Sequence, residues 1–593
     1  MTNKFLDVTV SSNIDLTVEL DRRELERDVY EYEFLLRWDE EQAKDPASQV
    51  TLLWMLPCVD VQYMWHPESR CRRVLDADWR LKIDSMLTGS APLAVLFNAE
   101  DVNTYTFATD EVKKVTSVQF GVNDGRDAVT GKISMGLQQF VGRSSHRLQV
   151  RADFRRLPFH QVIDDVRAWW ENVLELTPMP VPAVGRMPMY SSWYNFHKDI
   201  HADVLEAECE QAKALGMDAI IIDDGWQTAD GLDGEGGAGG YRYTGDWEIC
   251  ETKFPDFKAF VKKVHDTGMK AVLWFSVPFL GYGSQNWEKY KDKIIYKVDR
   301  NGAGVLDLRY PEVREFLIST YERFLRDYDL DGFKLDFIDR FHMTPEDQVK
   351  PGMDYDCIQE ATDRLMTDVM ERLRAVKPDI LIEFRQKYIG PAMRRFGNLF
   401  RVSDCPCDIT TNRVGIADLR LMSGSTAVHS DMVVWNNDET VEDAALQILN
   451  CMFGTIQFSK NIASMTSEHK EMCAFWLNFA RENEKLLQES EFTPYEPNYL
   501  YPVITARNDT EEITGVYALN KVVPLDPGKQ RSRLINATKR DALYLSVKEA
   551  VTVKFRTWDA RGRQAGEGTA ALDPGIHELS VPRSGLLEVV YVQ

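Results

Sequence analysis

The chain has 593 residues, 44% of them hydrophobic and 27% charged, an ordinary globular composition and long enough for more than one domain. Its 70 Lys and Arg against 93 Asp and Glu leave a formal charge of -23, which argues against nucleic acid or an anionic membrane as partner. The nine cysteines show no CxxC or zinc-ribbon spacing, and no stretch approaches ~20 apolar residues, so neither a zinc framework nor a membrane-spanning helix is expected.

Residues 1–178 read as an N-terminal β-sandwich. Val8–Val10 and Asp15–Leu20 alternate apolar and polar residues, Tyr30–Trp38 and Thr116–Val122 do so in part, and Leu93–Asn98 is a short apolar run. Turn signals such as Asn123-Asp124-Gly125 separate these runs. Pro158–Leu176 carries a helical pattern, and Thr177–Pro182 reads as a linker. Met1–Asp7 has no apolar core of a signal peptide, so a reducing, cytoplasmic setting is the expectation.

Over residues 179–490 strands and helices alternate. Strands are expected at Met189–Phe196, Ala219–Asp223, Lys270–Phe275, Gly332–Phe337, Ile380–Phe384, Leu399–Val402, Ala427–His429 and Thr455–Phe458. Helices are expected at Asp203–Leu215, Asp256–Thr267, Pro311–Arg326, Cys357–Val376, Asn412–Met422, Val441–Met452 and Glu468–Leu487. This order fits a (β/α)8 TIM barrel or a doubly wound open sheet; the polar residues collected at so many C-terminal strand ends favour the barrel. Residues 491–593 return to alternation, as in Leu543–Val547, Val551–Phe555 and Leu586–Val592, and read as a small antiparallel β-sandwich.

A barrel builds its active site where the strands end. Here those ends carry Trp193, then Asp223 and Asp224, Trp274, Lys334 with Asp336, Glu383 with Arg385, and Arg401 with Asp404. Lys334 and Asp336 are two apart, so on a strand they share a face. Carboxylates that accept from vicinal hydroxyls, with tryptophans that stack on C–H faces, suit a polyhydroxylated substrate. Two opposed carboxylates suit glycoside hydrolysis, with Asp336 as nucleophile, kept ionised by Lys334, and Asp404 as acid/base.

Three rival motifs fail on context. Gly234–Gly239 matches GxGxxG but follows its strand by about ten residues without the strand-to-helix turn a dinucleotide needs, so it reads as a loop ending at Asp246-Trp247, with Trp247 a candidate sugar contact. His197 and His201 lack the intervening Glu of HExxH, and GxxxxGK[ST] is absent. No cofactor or metal is required.

The chain resembles the retaining α-galactosidases of glycoside hydrolase family 36, in the clan shared with family 27. The resemblance rests on Ser192-Trp193-Tyr194, Ile222-Asp223-Asp224-Gly225-Trp226-Gln227, Gly245-Asp246-Trp247, Leu273-Trp274, Leu306-Asp307-Leu308, Gly332–Asp336 and Arg401-Val402-Ser403-Asp404. It implies Asp336 as nucleophile and Asp404 as general acid/base, about 5–5.5 Å apart as retention requires. It implies further that Asp223 and Asp224 hold hydroxyls at C4 and C6, that Lys334 and Arg401 bind near C2 and C3, and that Trp193 and Trp274 shape the pocket. An N-terminal loop carrying Trp54 or Trp65 is expected to reach the site. Where many members carry a Cys- and Gly-rich turn after the fifth strand, this chain has Glu383-Phe384-Arg385-Gln386-Lys387. Long polar side chains there leave room for another sugar, an α-N-acetylgalactosaminide, a β-L-arabinopyranoside or an acidic sugar; the alternative is that Arg385 pairs with a neighbouring carboxylate. The same strand ends would also serve a transglycosylase or a non-catalytic sugar-binding barrel. The partner expected is a small carbohydrate, and homo-oligomerisation stays open.

Overall fold

The computed structural model describes residues 6–140, 142–228, 240–344 and 347–592. Gly234–Gly239 lie outside these residues. The N-terminal region is a β-sandwich. One antiparallel sheet orders Val8–Ser12, Gln49–Pro57, Ala128–Gly136, Thr116–Asn123 and Ile83–Ser85. The other orders Leu16–Glu26, Val29–Trp38, Ser145–Asp153, Asn103–Thr109, Leu93–Phe97 and Tyr63–Trp65. Successive strand side chains face opposite ways, so Tyr32, Phe34 and Leu36 of one sheet meet Leu52, Trp54 and Leu56 of the other in one core.

Eight parallel strands follow, labelled here β1 (Met189–Ser191), β2 (Ala219–Ile222), β3 (Lys270–Ser276), β4 (Gly332–Asp336), β5 (Leu381–Arg385), β6 (Leu399–Arg401), β7 (Ala427–His429) and β8 (Gln457–Phe458). β1 to β7 neighbour one another in chain order, and β8 pairs with β1. Isolated bridges from His429 to Thr455 and from Val433 to Phe458 close the ring. The layer of helices comprises α1 (Ala202–Ala214), α2 (Phe257–Asp266), α3 (Pro311–Tyr328), α4 (Ile358–Val376), α5 (Ile409–Ser423), α6 (Val441–Leu449) and α7 (Ser467–Glu482). Their starts follow capping chemistry: Asp256, Asp408, Thr440 and Thr466 accept from first-turn N–H groups of α2, α5, α6 and α7, and Pro311 opens α3.

The two-residue period of the strands sorts the interior into layers. Met189, Ala219, Ile221, Val272, Leu381, Leu399 and Ala427 form a small apolar cluster of their own inside the barrel. One or two steps further along the same strand faces come Trp274, Lys334, Glu383, Arg401 and His429, and then Asp336 and Arg385. The opposite faces, with Ile220, Ile222, Leu273, Phe333, Leu335, Ile382 and Phe384, join the large core under the helices. The apolar cluster therefore makes a floor, and the polar groups are stacked above it at the C-terminal ends. Gly332 is needed for this packing, since a Cβ there would strike the Leu381 backbone of the adjacent strand.

Two local expectations change. The first strand stops at Ser191 rather than running to Phe196; Ser192 turns out of the sheet, its hydroxyl accepts from the Asp223 N–H at 3.0 Å, and Trp193–Phe196 form a helical turn. Between β3 and α3 an antiparallel ribbon of Phe279–Gly281, Ala303–Leu306 and Ile294–Val298 is inserted. Its strands, of three to five residues, are too short to give a readable periodic signal.

The C-terminal region is a β-sandwich of a seven-stranded and a three-stranded sheet around Leu534, Leu545, Val553, Leu587 and Val589. Asp418 of α5 joins all three regions. Its buried carboxylate accepts from Trp65 Nε1 at 2.8 Å, Arg73 Nη2 at 2.8 Å and the Tyr501 hydroxyl at 2.6 Å. This corrects the expectation for the N-terminal tryptophans. Trp65 is committed to Asp418, and Trp54 is enclosed in the sandwich core against Phe107 and Tyr32. Neither has a free face to offer a sugar. The N-terminal region instead meets the segment after β5 by backbone: the Ser90 N–H donates to the Lys387 carbonyl at 3.0 Å.

Candidate active site

Asp336 ends β4 inside a ring of donors. Its Oδ1 accepts from Arg385 Nε at 2.6 Å, the Tyr388 hydroxyl at 2.9 Å and the Phe337 N–H at 2.7 Å; its Oδ2 accepts from Trp274 Nε1 at 3.0 Å. The Phe337 bond depends on a left-handed backbone at φ 65, a conformation that costs a non-glycine residue roughly 1–2 kcal/mol. Burial alone would push the Asp336 carboxyl up; Arg385 first, then Lys334 and the Trp274 bond, overcome it and hold the group ionised, well below the usual carboxylate range. Lys334 thus tunes Asp336 through space, while its Nζ bonds Asp223 Oδ2 at 2.6 Å. The direct ion-pair partner of Asp336 is Arg385.

Asp223 and Asp224 sit side by side after β2. The Asp223 Oδ1 accepts from the Asp224 N–H at 2.9 Å, and Asp224 Oδ1 accepts from Gln227 Nε2 at 2.7 Å. Asp224 Oδ2 has no hydrogen-bond donor among the described residues and lies 3.5 Å from Lys198 Nζ. Burial raises the Asp224 carboxyl above its ordinary value despite Lys198. Gly225 at φ 123 makes the turn possible, because a Cβ there would meet the Lys198 backbone at 2.6 Å.

Across the barrel Arg401 is buried and spends its guanidinium on Asp431 Oδ1 at 2.5 Å, Asp404 Oδ1 at 2.9 Å and the Val402 carbonyl at 3.1 Å. The Asp404 side chain is 52% exposed, against 8% for Asp336. Burial pushes the Asp404 carboxyl up, but Arg401, Arg385 and Lys334 together hold it below its ordinary value. The same two cations, Arg385 and Lys334, thus act on both carboxyls. Glu383 is fully buried, raised by burial, and bonded by Gln457.

The aromatic candidates divide. Trp274 bonds Asp336 directly. Trp193 is half-buried at the end of β1, edge-on to His197 at 5.1 Å. Trp247 is buried behind the site, stacked on Trp226 at 6.0 Å and edge-on to Trp274 at 6.4 Å, so it backs Trp274 and has no open face. Four contributors went unread in the sequence: Tyr388 on Asp336, Asp431 on Arg401, Lys198 on Asp224 and Gln457 on Glu383. Asp431, two residues past β7, obeys the strand-end rule and was findable; Tyr388 and Lys198 lie in loops with no pattern.

Residues 185–490, a little over half of the chain, match the Melibiase family. The chain belongs to this family. Among individual relatives, the α-galactosidase Mel36A of Lactobacillus acidophilus is 26% identical over 207 residues, 33% of this chain and 27% of Mel36A. The bifunctional α-galactosidase/sucrose kinase AgaSK of Mediterraneibacter gnavus is 22% identical over 377 residues, 61% of this chain and 38% of AgaSK. The chain thus spans well under half the length of these relatives. In fold, it is similar to the GH36 α-galactosidase AgaA of Geobacillus stearothermophilus, solved with raffinose: TM-score 0.65 at 15% identity, covering 98% of this chain and 82% of AgaA. A GH31 sulfoquinovosidase from E. rectale is similar over 99% of this chain and 93% of its own, with TM-score 0.59 and 12% identity.

Proposed function

We propose that this Melibiase-family chain is a retaining, exo-acting α-galactosidase that releases terminal galactose from small oligosaccharides or glycosides. The observation that carries the reading is a buried Asp336 at the end of β4, ion-paired with Arg385, and a half-exposed Asp404 after β6, ion-paired with Arg401. Asp336 attacks the anomeric carbon while Asp404 protonates the leaving oxygen; Asp404 then activates water, and the sugar leaves with its configuration kept. Asp223 and Asp224, on the rim opposite, accept from ring hydroxyls, and Lys334 holds Asp223 in place. The chemistry needs no cofactor, because the carboxylate itself stabilises the oxocarbenium-like charge. We read residues 1–178, 179–490 and 491–593 as three units. The nine free cysteines support a reducing, cytoplasmic location; no helix among the described residues is long and apolar enough to cross a membrane.

A panel of nitrophenyl glycosides tests the substrate. The α-galactoside is expected to be cleaved fastest. Faster cleavage of an α-N-acetylgalactosaminide, a β-L-arabinopyranoside or an acidic glycoside would move the assignment to that sugar. Transfer to an added sugar in place of hydrolysis would identify a transglycosylase. Binding without turnover throughout would leave a sugar-binding barrel.

The pH dependence follows from the two carboxyls. Reaction needs Asp336 ionised and Asp404 protonated. With Asp336 held far down, the acid limb of the rate lies below the usual carboxylate range. With Asp404 also held down in the free protein, kcat/KM falls early on the basic side. Bound sugar displaces water from half-exposed Asp404 and raises its carboxyl, so the basic limb of kcat is expected above that of kcat/KM. Profiles with coincident basic limbs would contradict this.

A further inference from the structure

The two oxygens of Asp336 keep different company. Three donors hold Oδ1, one of them the Arg385 guanidinium; among the described residues Oδ2 has the single indole N–H of Trp274. Arg385 is itself fixed. Its guanidinium lies over the Phe337 ring at 5.0 Å and the Tyr388 ring at 5.8 Å, and its side chain is only 15% exposed. An ion pair with so little water around it is stronger than one on the surface.

We propose that Arg385 is a positioning residue that reserves Oδ2 for attack and makes formation of the glycosyl-enzyme, rather than its breakdown, limit turnover. The proposal rests on the reading of Asp336 as nucleophile. In the first step a bond forms from Oδ2 to the anomeric carbon, the bond from that carbon to the aglycone oxygen breaks, and Asp404 gives its proton to that oxygen. Asp336 starts this step with a full negative charge and loses it. Arg385 therefore stabilises the starting state more than the transition state, which raises the barrier. In the second step the ester bond breaks, water bonds to the anomeric carbon, and its proton passes to Asp404. Asp336 now regains its charge, and Arg385 stabilises the transition state more than the neutral ester. One cation slows entry to the intermediate and speeds exit. A purely structural Arg385 would alter both steps alike.

Rapid mixing of the full-length protein with the nitrophenyl glycosides it cleaves separates these cases. The unaltered protein is expected to show no burst of nitrophenol and a kcat that varies with the leaving group. Arg385→Gln is expected to show a burst of about one equivalent, a kcat indifferent to the leaving group, and a KM lowered on the order of tenfold as intermediate accumulates. Arg385→Lys keeps a cation and is expected to show no burst. A burst from the unaltered protein, or an Arg385→Gln protein without one, overturns the proposal. Should Arg385→Gln fail to fold, Tyr388→Phe removes a donor from the same oxygen: a weaker leaving-group dependence supports the proposal, and an unchanged or stronger one overturns it. An active Asp336→Ala protein would instead bring down the reading of the nucleophile, which these burst measurements leave standing.

Discussion

Asp336→Ala is expected to lower kcat on the order of 10^4–10^6-fold, in line with removal of other covalent nucleophiles. That loss corresponds to roughly 5–8 kcal/mol of transition-state stabilisation. The size follows from what Asp336 does: it supplies the attacking atom and the one negative charge aimed at the anomeric carbon by four donors. The substitution also leaves Arg385 as a buried cation without its partner. Part of the effect will therefore fall on stability, and circular dichroism of the variant separates the two. Asp336→Asn keeps the shape and should be comparably inactive. Hydrolysis at the original rate in either variant would remove Asp336 from the mechanism.

The largest expected effect on stability lies elsewhere. Asp418→Ala strips the carboxylate that accepts from Trp65, Arg73 and Tyr501. Arg73 is left as a buried charge with no carboxylate, a change that costs about 3–5 kcal/mol. Two further donors, the Trp65 indole and the Tyr501 hydroxyl, lose their acceptor as well. Because Trp65 and Arg73 come from the N-terminal region and Tyr501 from the C-terminal one, the loss should also loosen both against the barrel. Denaturant unfolding measures the first effect, and limited proteolysis near the joins the second. A shift under about 1 kcal/mol would mean that Arg73 finds another partner.

The barrel was legible because its physics is local. Runs such as Ala219–Ile222 are apolar on both faces, and Asp223 and Asp224 follow where that strand ends. The period of two then placed Lys334 with Asp336 and Glu383 with Arg385 on inward faces. The pairing of charges across the barrel was not legible. Lys334 is two residues from Asp336 in the chain, yet its Nζ bonds Asp223, 111 residues away; Arg385, 49 residues from Asp336, takes that carboxylate. Such partners are set by the tilt and stagger of neighbouring strands, and no spacing within one strand encodes them. The same limit explains Trp54, Trp65 and Trp247. Each stands in a segment that suits a sugar contact, and each is turned into a core or onto a buried carboxylate by packing between distant segments.

The proposed division of labour between Asp336 and Asp404 is tested most directly by the anomer of an azide product. Asp336→Ala and Asp404→Ala are each incubated with azide and an activated α-galactoside, and the products are read by nuclear magnetic resonance. Azide filling the space of Asp336 must attack from the opposite face, so that variant is predicted to give the β-galactosyl azide. Azide replacing water at the glycosyl-enzyme attacks after one inversion, so Asp404→Ala is predicted to give the α-galactosyl azide. The reverse pattern, or the same anomer from both variants, would contradict the assignment.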